Sequence, residues 1–438
     1  MLNTARDSFN ALISSHRWSE TLAGDALRVL SSQLVLRGGF ALVSLAAART
    51  LPVATFTNYN LFLVNSALMA SLTSLGLPVA VSLASSRFRA GHDIEHARVQ
   101  IDRAFALFAV LVLMQLVAVP MIVRWLPTST GESKYLGLYA IAGAILANVN
   151  SMMFAVLSGM RLYRRLALIS ASGVVALSAG YLVSLLLHSI TPLLASNLLF
   201  YAIPCAFAFR RLQNVDMLPR RSPHWSDLAS YMPVVRIALP SFGSGILFSY
   251  ANWLISTTLL ARQSLPIMFS TFAIGMQWFA MLLFVPTAVG MAAFSHFVAA
   301  SAQGTLSLRL IAFPAISAFL MGLVLCVLAT VAAPLLDSIY GGRFAIDRLF
   351  VATILLAASC SAATAIIANA VITASGAGVW LRMNVIYAAI VLVGVLLIHP
   401  RTAIEGAAIL AVSNIVLILA ASIQLWFSLG RLSRAAER

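Results

Sequence analysis

Charge is what this sequence lacks most. Only 9% of its 438 residues are Asp, Glu, Lys or Arg, against roughly a quarter in a soluble domain. A chain so poor in charge cannot clothe a water-facing surface, which excludes the soluble enzymes and soluble binding modules. Acids are scarcer than bases, with 13 Asp and Glu against 28 Lys and Arg, and Lys134 is the only lysine. Cysteine is rare as well. Cys205, Cys326 and Cys360 each sit in an apolar run, without the paired spacing of a metal knuckle or redox couple. They read as small buried residues. No Ser/His/Asp or Cys/His set has a supporting context, so no catalytic residue and no cofactor are expected. The segment His92-Asp93-Ile94-Glu95-His96 has the H-x-x-E-H order of one zinc protease class. It falls in a short loop with no third ligand in view, and no metal is expected there. The glycine pairs Gly243/Gly245, Gly341/Gly342 and Gly376/Gly378 do not open a strand-to-helix phosphate loop.

Apolar residues fill the space that charge leaves, at 61% of the chain. They fall in runs of the length that crosses a bilayer, about 20 residues for about 30 Å of hydrocarbon. Runs near 29–49, 59–85, 103–126, 135–159, 166–188 and 190–209 are followed by runs near 237–260, 266–293, 307–333, 347–373, 381–399 and 403–428. The expected fold is therefore all-α and polytopic, with twelve transmembrane helices in two six-helix lobes. The first 28 residues, polar to mildly amphipathic, read as a cytoplasmic N-terminal segment rather than a cleavable signal peptide. Residues 29–209 make the N-lobe. Residues 210–236, with Pro219, Pro223 and Pro233, make a cytoplasmic linker. Residues 237–428 make the C-lobe, and 429–438 a cytoplasmic tail.

The net charge of +15 does not read as a nucleic-acid face, because the arginines cluster in short loops between apolar runs. Threading the twelve runs places twenty of the 28 basic residues on the side of the N-terminus and seven on the other, with Arg37 inside the first run. That bias puts both termini in the cytoplasm. The halves also share a pattern. Pro78-x-Ala80-Val81-x-x-Ala84 closes the second run, and Pro286-x-Ala288-Val289-x-x-Ala292 closes the eighth.

The placement of the acids is the most informative absence. All 13 fall in loops or at the ends of runs. A carrier that binds protons or sodium ions at depth needs a titratable or anionic ligand there. Arg37 is the one intramembrane charge, roughly 12 Å into the first span at 1.5 Å per residue. Burying it against lipid costs about 2.5 kcal/mol or more, so it should face a wet cavity or an anion. Gln33 and Ser44 share its helical face. Snorkelling to the cytoplasmic headgroups beside Gly38-Gly39 is the alternative. Amides recur in other spans: Gln115, Asn148, Asn150, Asn252, Gln277, Asn369, Asn384 and Asn414. Most are expected to tie helices together. Asn252 beside Trp253 is the better candidate for sugar hydroxyls and ring faces, with Asn148, Gln277 and Asn369 as weaker ones.

Ala48-Arg49-Thr50-Leu51-Pro52, followed by Phe56 and Tyr59, resembles the first-span exit of the O-antigen and polysaccharide repeat-unit flippases of the multidrug/oligosaccharidyl-lipid/polysaccharide exporter superfamily. Gly76-Leu77-Pro78, Leu239-Pro240, Ile339-Tyr340-Gly341, Phe344-Ala345, Asn369 before Ile372-Thr373-Ala374-Ser375-Gly376, and Glu405-Gly406-Ala407-Ala408 extend the likeness in order along most of the chain. Departures are Pro52 and Thr57 where the family tends to glycine, and Asn252 near where many members carry an aspartate.

The resemblance implies a MATE-like fold of six plus six helices that rocks between inward- and outward-open states. Its implied cargo is an undecaprenyl-pyrophosphate-linked oligosaccharide, moved across the cell inner membrane. Arg37 and Gln33 would meet the pyrophosphate, and Asn252, Trp253, Asn148, Gln277 and Asn369 the glycan. The implied partners are that lipid-linked oligosaccharide, inner-membrane lipids, and a polysaccharide polymerase with its chain-length machinery, with no nucleic acid. The alternative is a MATE-type multidrug or cation antiporter, which would need the missing acid. A polytopic polymerase or ligase would present a long periplasmic loop, and every such loop here is short.

Overall fold

The computed structural model describes residues 34–89, 94–125, 133–214, 231–261, 267–302, 306–344 and 346–436, together with positions 24, 27 and 30–32. Gln33, His92, Asp93, Ala345, most of the N-terminal segment and residues 215–230 of the expected linker lie outside the described residues. Among the described residues no strand occurs. A π-helical turn, Leu34–Gly38, leads into α1 (Gly39–Thr50). The first half continues with α2 (Val53–Ser74), α3 (Leu77–Arg89), α4 (Ile94–Trp125), α5 (Ser133–Gly159), α6 (Tyr163–Leu187) and α7 (Thr191–Asn214). The second half holds α8 (Met232–Ala261), α9 (Ile267–Leu282), α10 (Phe284–Ala302), α11 (Leu308–Val331), the short α12 (Ala333–Ile339), α13 (Arg348–Ser375), α14 (Ala377–Ile398) and α15 (Ala403–Ala436).

Among the described residues, eleven helices are long and apolar enough to cross a membrane, and the total is twelve when the bent pair α2 and α3 is taken as one span. The fold is thus an all-helical, twelve-span bundle in two six-helix lobes. Span two begins at Val53, six residues before the run read from hydropathy, because Pro52 starts the helix while Thr57, Asn58 and Asn60 dilute its apolar signal.

Span two is bent by 59° between α2 and α3. Leu75 (φ 44°) and Gly76 (φ 64°) are both left-handed there, and Pro78 follows. A left-handed leucine costs roughly 1–2 kcal/mol, so packing must hold it. It does: a Cβ on Gly76 would lie 2.5 Å from the Ala238 carbonyl oxygen and 2.6 Å from Ser241 Cβ. The start of α8 is pressed against the corner. The corresponding span eight, α9 and α10, is irregular at Leu283 alone, where the N–H of Leu283 still bonds the Phe279 carbonyl at 3.2 Å and no left-handed residue occurs, and Pro286 follows. The shared proline pattern therefore sits just after an irregularity in the second span of each half.

A second correspondence ties the halves together. In the first, Asn148 Nδ2 of α5 donates to the Ala70 carbonyl of α2 at 2.9 Å and also reaches Thr73 Oγ1. In the second, Asn369 Nδ2 of α13 donates to the Gly290 carbonyl of α10 at 3.0 Å. In both, the fourth span holds the second by an amide placed on its backbone. Elsewhere small residues set the approach, as membrane helices require. A Cβ on Gly173 of α6 would lie 2.5 Å from the Phe200 carbonyl of α7, and one on Gly180 would lie 2.9 Å from that of Pro192.

Candidate functional site at the seam between the lobes

The seam runs along α2, which carries Thr57, Asn60, Asn65, Ser66 and Thr73 as buried polar residues in an otherwise apolar span. Three of these cross to the other lobe. Thr57 Oγ1 lies 2.8 Å from Ser270 Oγ of α9. The Thr57 hydroxyl already donates to the Val53 carbonyl, so Ser270 supplies the proton. Asn60 Oδ1 accepts from Gln277 Nε2 of α9 at 3.2 Å. Asn65 Oδ1 accepts from the indole Nε1 of Trp253 in α8 at 3.1 Å. Eight residues separate the first rung from the last, about 12 Å along the helix. The ladder is closed at the Leu51 end by Phe56 packed on Phe344, centroids 5.6 Å apart, and by Arg343 Nη1 facing the Leu51 carbonyl at 3.4 Å.

Four of the sequence candidates are therefore engaged. Gln277 and Trp253 join the two lobes, whereas Asn148 and Asn369 each join helices within one lobe. Asn252 spends its Nδ2 on the Phe248 carbonyl of its own helix, and its buried Oδ1 has no partner. Trp253 stacks on Tyr250 at 5.7 Å. The seam residues Thr57, Asn60, Asn65 and Ser270 were not singled out from sequence. The available signal was the run of hydroxyls and amides on the early turns of span two.

Arg37 is the penultimate residue of the π-helical turn and is half-buried, with no hydrogen bond or ion pair to any described residue. Below it at helical spacing come Ala41, Ser44 and Ala48, at 8%, 0% and 0% exposure, while Leu42 on the opposite side is 68% exposed. Arg37 thus heads the inward column of α1 rather than its lipid face. Ser44 Oγ in that column is buried and unpartnered. The expected companion Gln33 lies outside the described residues.

The described acids of the second half are occupied by backbone N–H groups, Asp347 and Glu405 as helix caps and Asp337 of α12 by the loop before α13. Asp347 Oδ1 accepts from the Phe350 N–H at 2.6 Å at the start of α13, and Asp337 Oδ1 from the Ile346 N–H at 3.3 Å. Glu405 accepts from the Thr402 N–H at 3.1 Å and from that of Arg401, while Thr402 Oγ1 accepts from the Glu405 N–H at 3.3 Å. That is a reciprocal capping box opening α15. In the first half, Glu95 and Asp102 stand within the first turns of α4 and are themselves partnered. Among the described residues no group of His, Cys, Asp and Glu could hold a metal ion. Among the described residues, the interior offers a ligand the Arg37 guanidinium, the buried His296 imidazole, amides and hydroxyls.

No family model and no curated relative matches this chain. Solved structures do. A MATE transporter in the bent conformation superposes with a TM-score of 0.71 at 15% identity, over 96% of each chain. An outward-facing multidrug resistance MATE family transporter of the multidrug/oligosaccharidyl-lipid/polysaccharide exporter superfamily gives 0.71 at 14% identity, over 95% of this chain and 96% of that one. A Vibrio cholerae MATE transporter gives 0.69 at 14% identity, over 97% and 98%. At these identities the likeness establishes the MATE fold.

Proposed function

We propose that this chain is an alternating-access flippase of that superfamily, carrying an isoprenoid-pyrophosphate-linked oligosaccharide across a bacterial inner membrane with both termini cytoplasmic. The observation that carries the reading is the division of charge. The interior column of α1 presents an unpartnered arginine, while the described acids of the second half are taken up by backbone N–H groups. A site with a free cation and no buried acid suits an anionic headgroup, since guanidinium pairs with phosphate oxygens by charge-assisted, often bidentate, bonds. It does not suit a drug cation or a coupling ion, for which the interior would need a carboxylate.

Rocking would part the lobes along α2. Each rung would exchange a partner in the other lobe for water or sugar hydroxyls, at a small net cost per bond. Arg37 would hold the pyrophosphate while the glycan passes the amides of the seam. A polymerase for the delivered repeat units, with its chain-length machinery, is the natural partner in the membrane.

A second reading, a multidrug or cation antiporter, is favoured by one finding: the matched structures are MATE transporters, among them a multidrug resistance protein. One experiment separates the two. In a strain lacking the gene, wild type, Arg37→Ala and Arg37→Lys are compared for surface polysaccharide, with membrane levels checked by immunoblot. Arg37→Ala is expected to abolish polysaccharide at normal protein level, and Arg37→Lys to restore part of it. Unchanged polysaccharide in Arg37→Ala, or a wild-type gene that protects cells from cationic dyes without restoring polysaccharide, overturns the flippase reading.

A further inference from the structure

The outer wall of the C-lobe carries a groove that the transport reading does not use. It has a volume of about 410 Å³ and lies between α11, α13 and α15, with Ala315, Ile316, Cys360, Ala363, Leu419 and Ser422 among its lining residues. Ile316 and Leu419 are 57% and 58% exposed, so the groove opens outward from the bundle, away from the seam. Its floor is set back because Ala315, Cys360 and Ala363 are small. In a bilayer neither vacuum nor water fills such a space, and a hydrocarbon chain does.

The two outer helices also say what stands at its mouth. On α11 the outward stripe runs back from Ile316 through Phe313, 78% exposed, to the exposed Arg309 in the helix's first turn. On α15 the stripe Ile415, Leu419, Ser422 continues to Trp426, 67% exposed, near the other end of that helix. Because α11 and α15 run in opposite directions along the span order, Arg309 and Trp426 stand at the same end of the bundle. Arg309 lies about 9 Å beyond Ala315 and Trp426 about 6 Å beyond Ser422 at 1.5 Å per residue. A cation and an indole at this depth are what an anionic headgroup at the membrane interface meets.

We propose that this groove is a binding site for an anionic phospholipid. One acyl chain lies along α13 between Ile316 and Leu419, and the phosphate is held at Arg309, with Trp426 at the same end of the groove. The proposal does not depend on what the protein transports.

Native mass spectrometry of the intact protein in detergent, with equimolar phosphatidylglycerol and phosphatidylcholine added, tests it. Wild type is expected to retain phosphatidylglycerol over phosphatidylcholine by about fivefold, the ratio that about 1 kcal/mol from one surface arginine gives. Arg309→Gln should remove that preference and leave the number of bound lipids unchanged. Ser422→Phe, a substitution at an exposed groove position, should lower the number of tightly bound lipids for both headgroups, with the thermal midpoint checking that the variant is folded. Equal retention of the two lipids by wild type, or unchanged lipid binding in Ser422→Phe, overturns the proposal. A dimer that Ser422→Phe dissociates would assign the groove to a second copy of the chain and overturn it as well.

Discussion

Spans two and eight are counterparts, and they differ where it matters. Span two places Thr57, Asn60 and Asn65 on the other lobe and then turns through 59° on two left-handed residues. Span eight answers with Ser270 and Gln277 and is irregular only at Leu283, with no left-handed residue. Trp253 of span seven supplies the remaining rung. Span two is thus the acceptor rail and the rigid corner of the seam, and the C-lobe supplies the donors. The asymmetry teaches that a repeat in sequence and fold need not divide mechanical labour equally.

The corner gives the largest expected effect. Gly76→Val adds a Cβ only 2.5 Å from a backbone carbonyl at a position whose φ of 64° a β-branched residue adopts rarely. Loss of folded protein is expected, read as absence of a monodisperse peak in detergent size-exclusion chromatography. Leu283→Val at the corresponding place in span eight should leave that peak intact. Equal tolerance at both corners would remove the asymmetry.

The next effect concerns motion rather than folding. Thr57→Cys with Ser270→Cys, in a background without Cys205, Cys326 and Cys360, places two thiols where two hydroxyl oxygens now stand 2.8 Å apart. Oxidation should staple the outermost rung and stop export, and a reductant should restore it. Full export by the oxidised, cross-linked protein would mean that the seam does not open at this end.

Much of this was legible beforehand. The class and the twelve spans follow from the length of the apolar runs and the scarcity of charge, because a bilayer leaves a chain few alternatives, whereas the MATE-like architecture came from the resemblance of short motifs. The bend after Ser74 is marked by Gly76 and Pro78. The seam was less visible, since hydropathy scores an amide as a defect in a span and does not say which helix it faces. Asn60 and Asn65 therefore carry no distinguishing signal in the sequence, whereas Trp253 and Gln277 read there as sugar ligands and in the structure hold Asn65 and Asn60 across the seam. Arg37 could be placed by depth alone, but its inward direction needed the burial of Ala41, Ser44 and Ala48 beside the exposed Leu42.

A smaller effect is expected within the ladder. Asn60→Leu removes the acceptor of Gln277 and leaves that amide to find another. Interhelical hydrogen bonds in membranes average about 0.6 kcal/mol, which shifts an opening equilibrium about threefold. In the Thr57→Cys/Ser270→Cys background, Asn60→Leu should slow disulfide formation by at most that factor, because the closed seam is populated less. An unchanged rate would confine the coupling of the lobes to the other rungs.

The smallest effect separates two bonds that the fold repeats. Asn148 of α5 and Asn369 of α13 each hold the second span of their own half, but Asn148 reaches both a carbonyl and a hydroxyl, and Asn369 a carbonyl alone. Replacing either with leucine conserves approximate volume and removes the donor. Asn369→Leu then forfeits one interhelical bond of average worth, about 0.6 kcal/mol. Asn148→Leu forfeits two contacts and leaves Thr73 Oγ1 with its own-helix carbonyls at Met69 and Ala70. Its loss should be about twice as large. Thermal midpoints of the two variants in one detergent provide the measurement. If Asn369→Leu proves the more destabilising, span two is held mainly by the seam and its corner rather than by its own lobe, and the division of labour between the two spans would have to be redrawn.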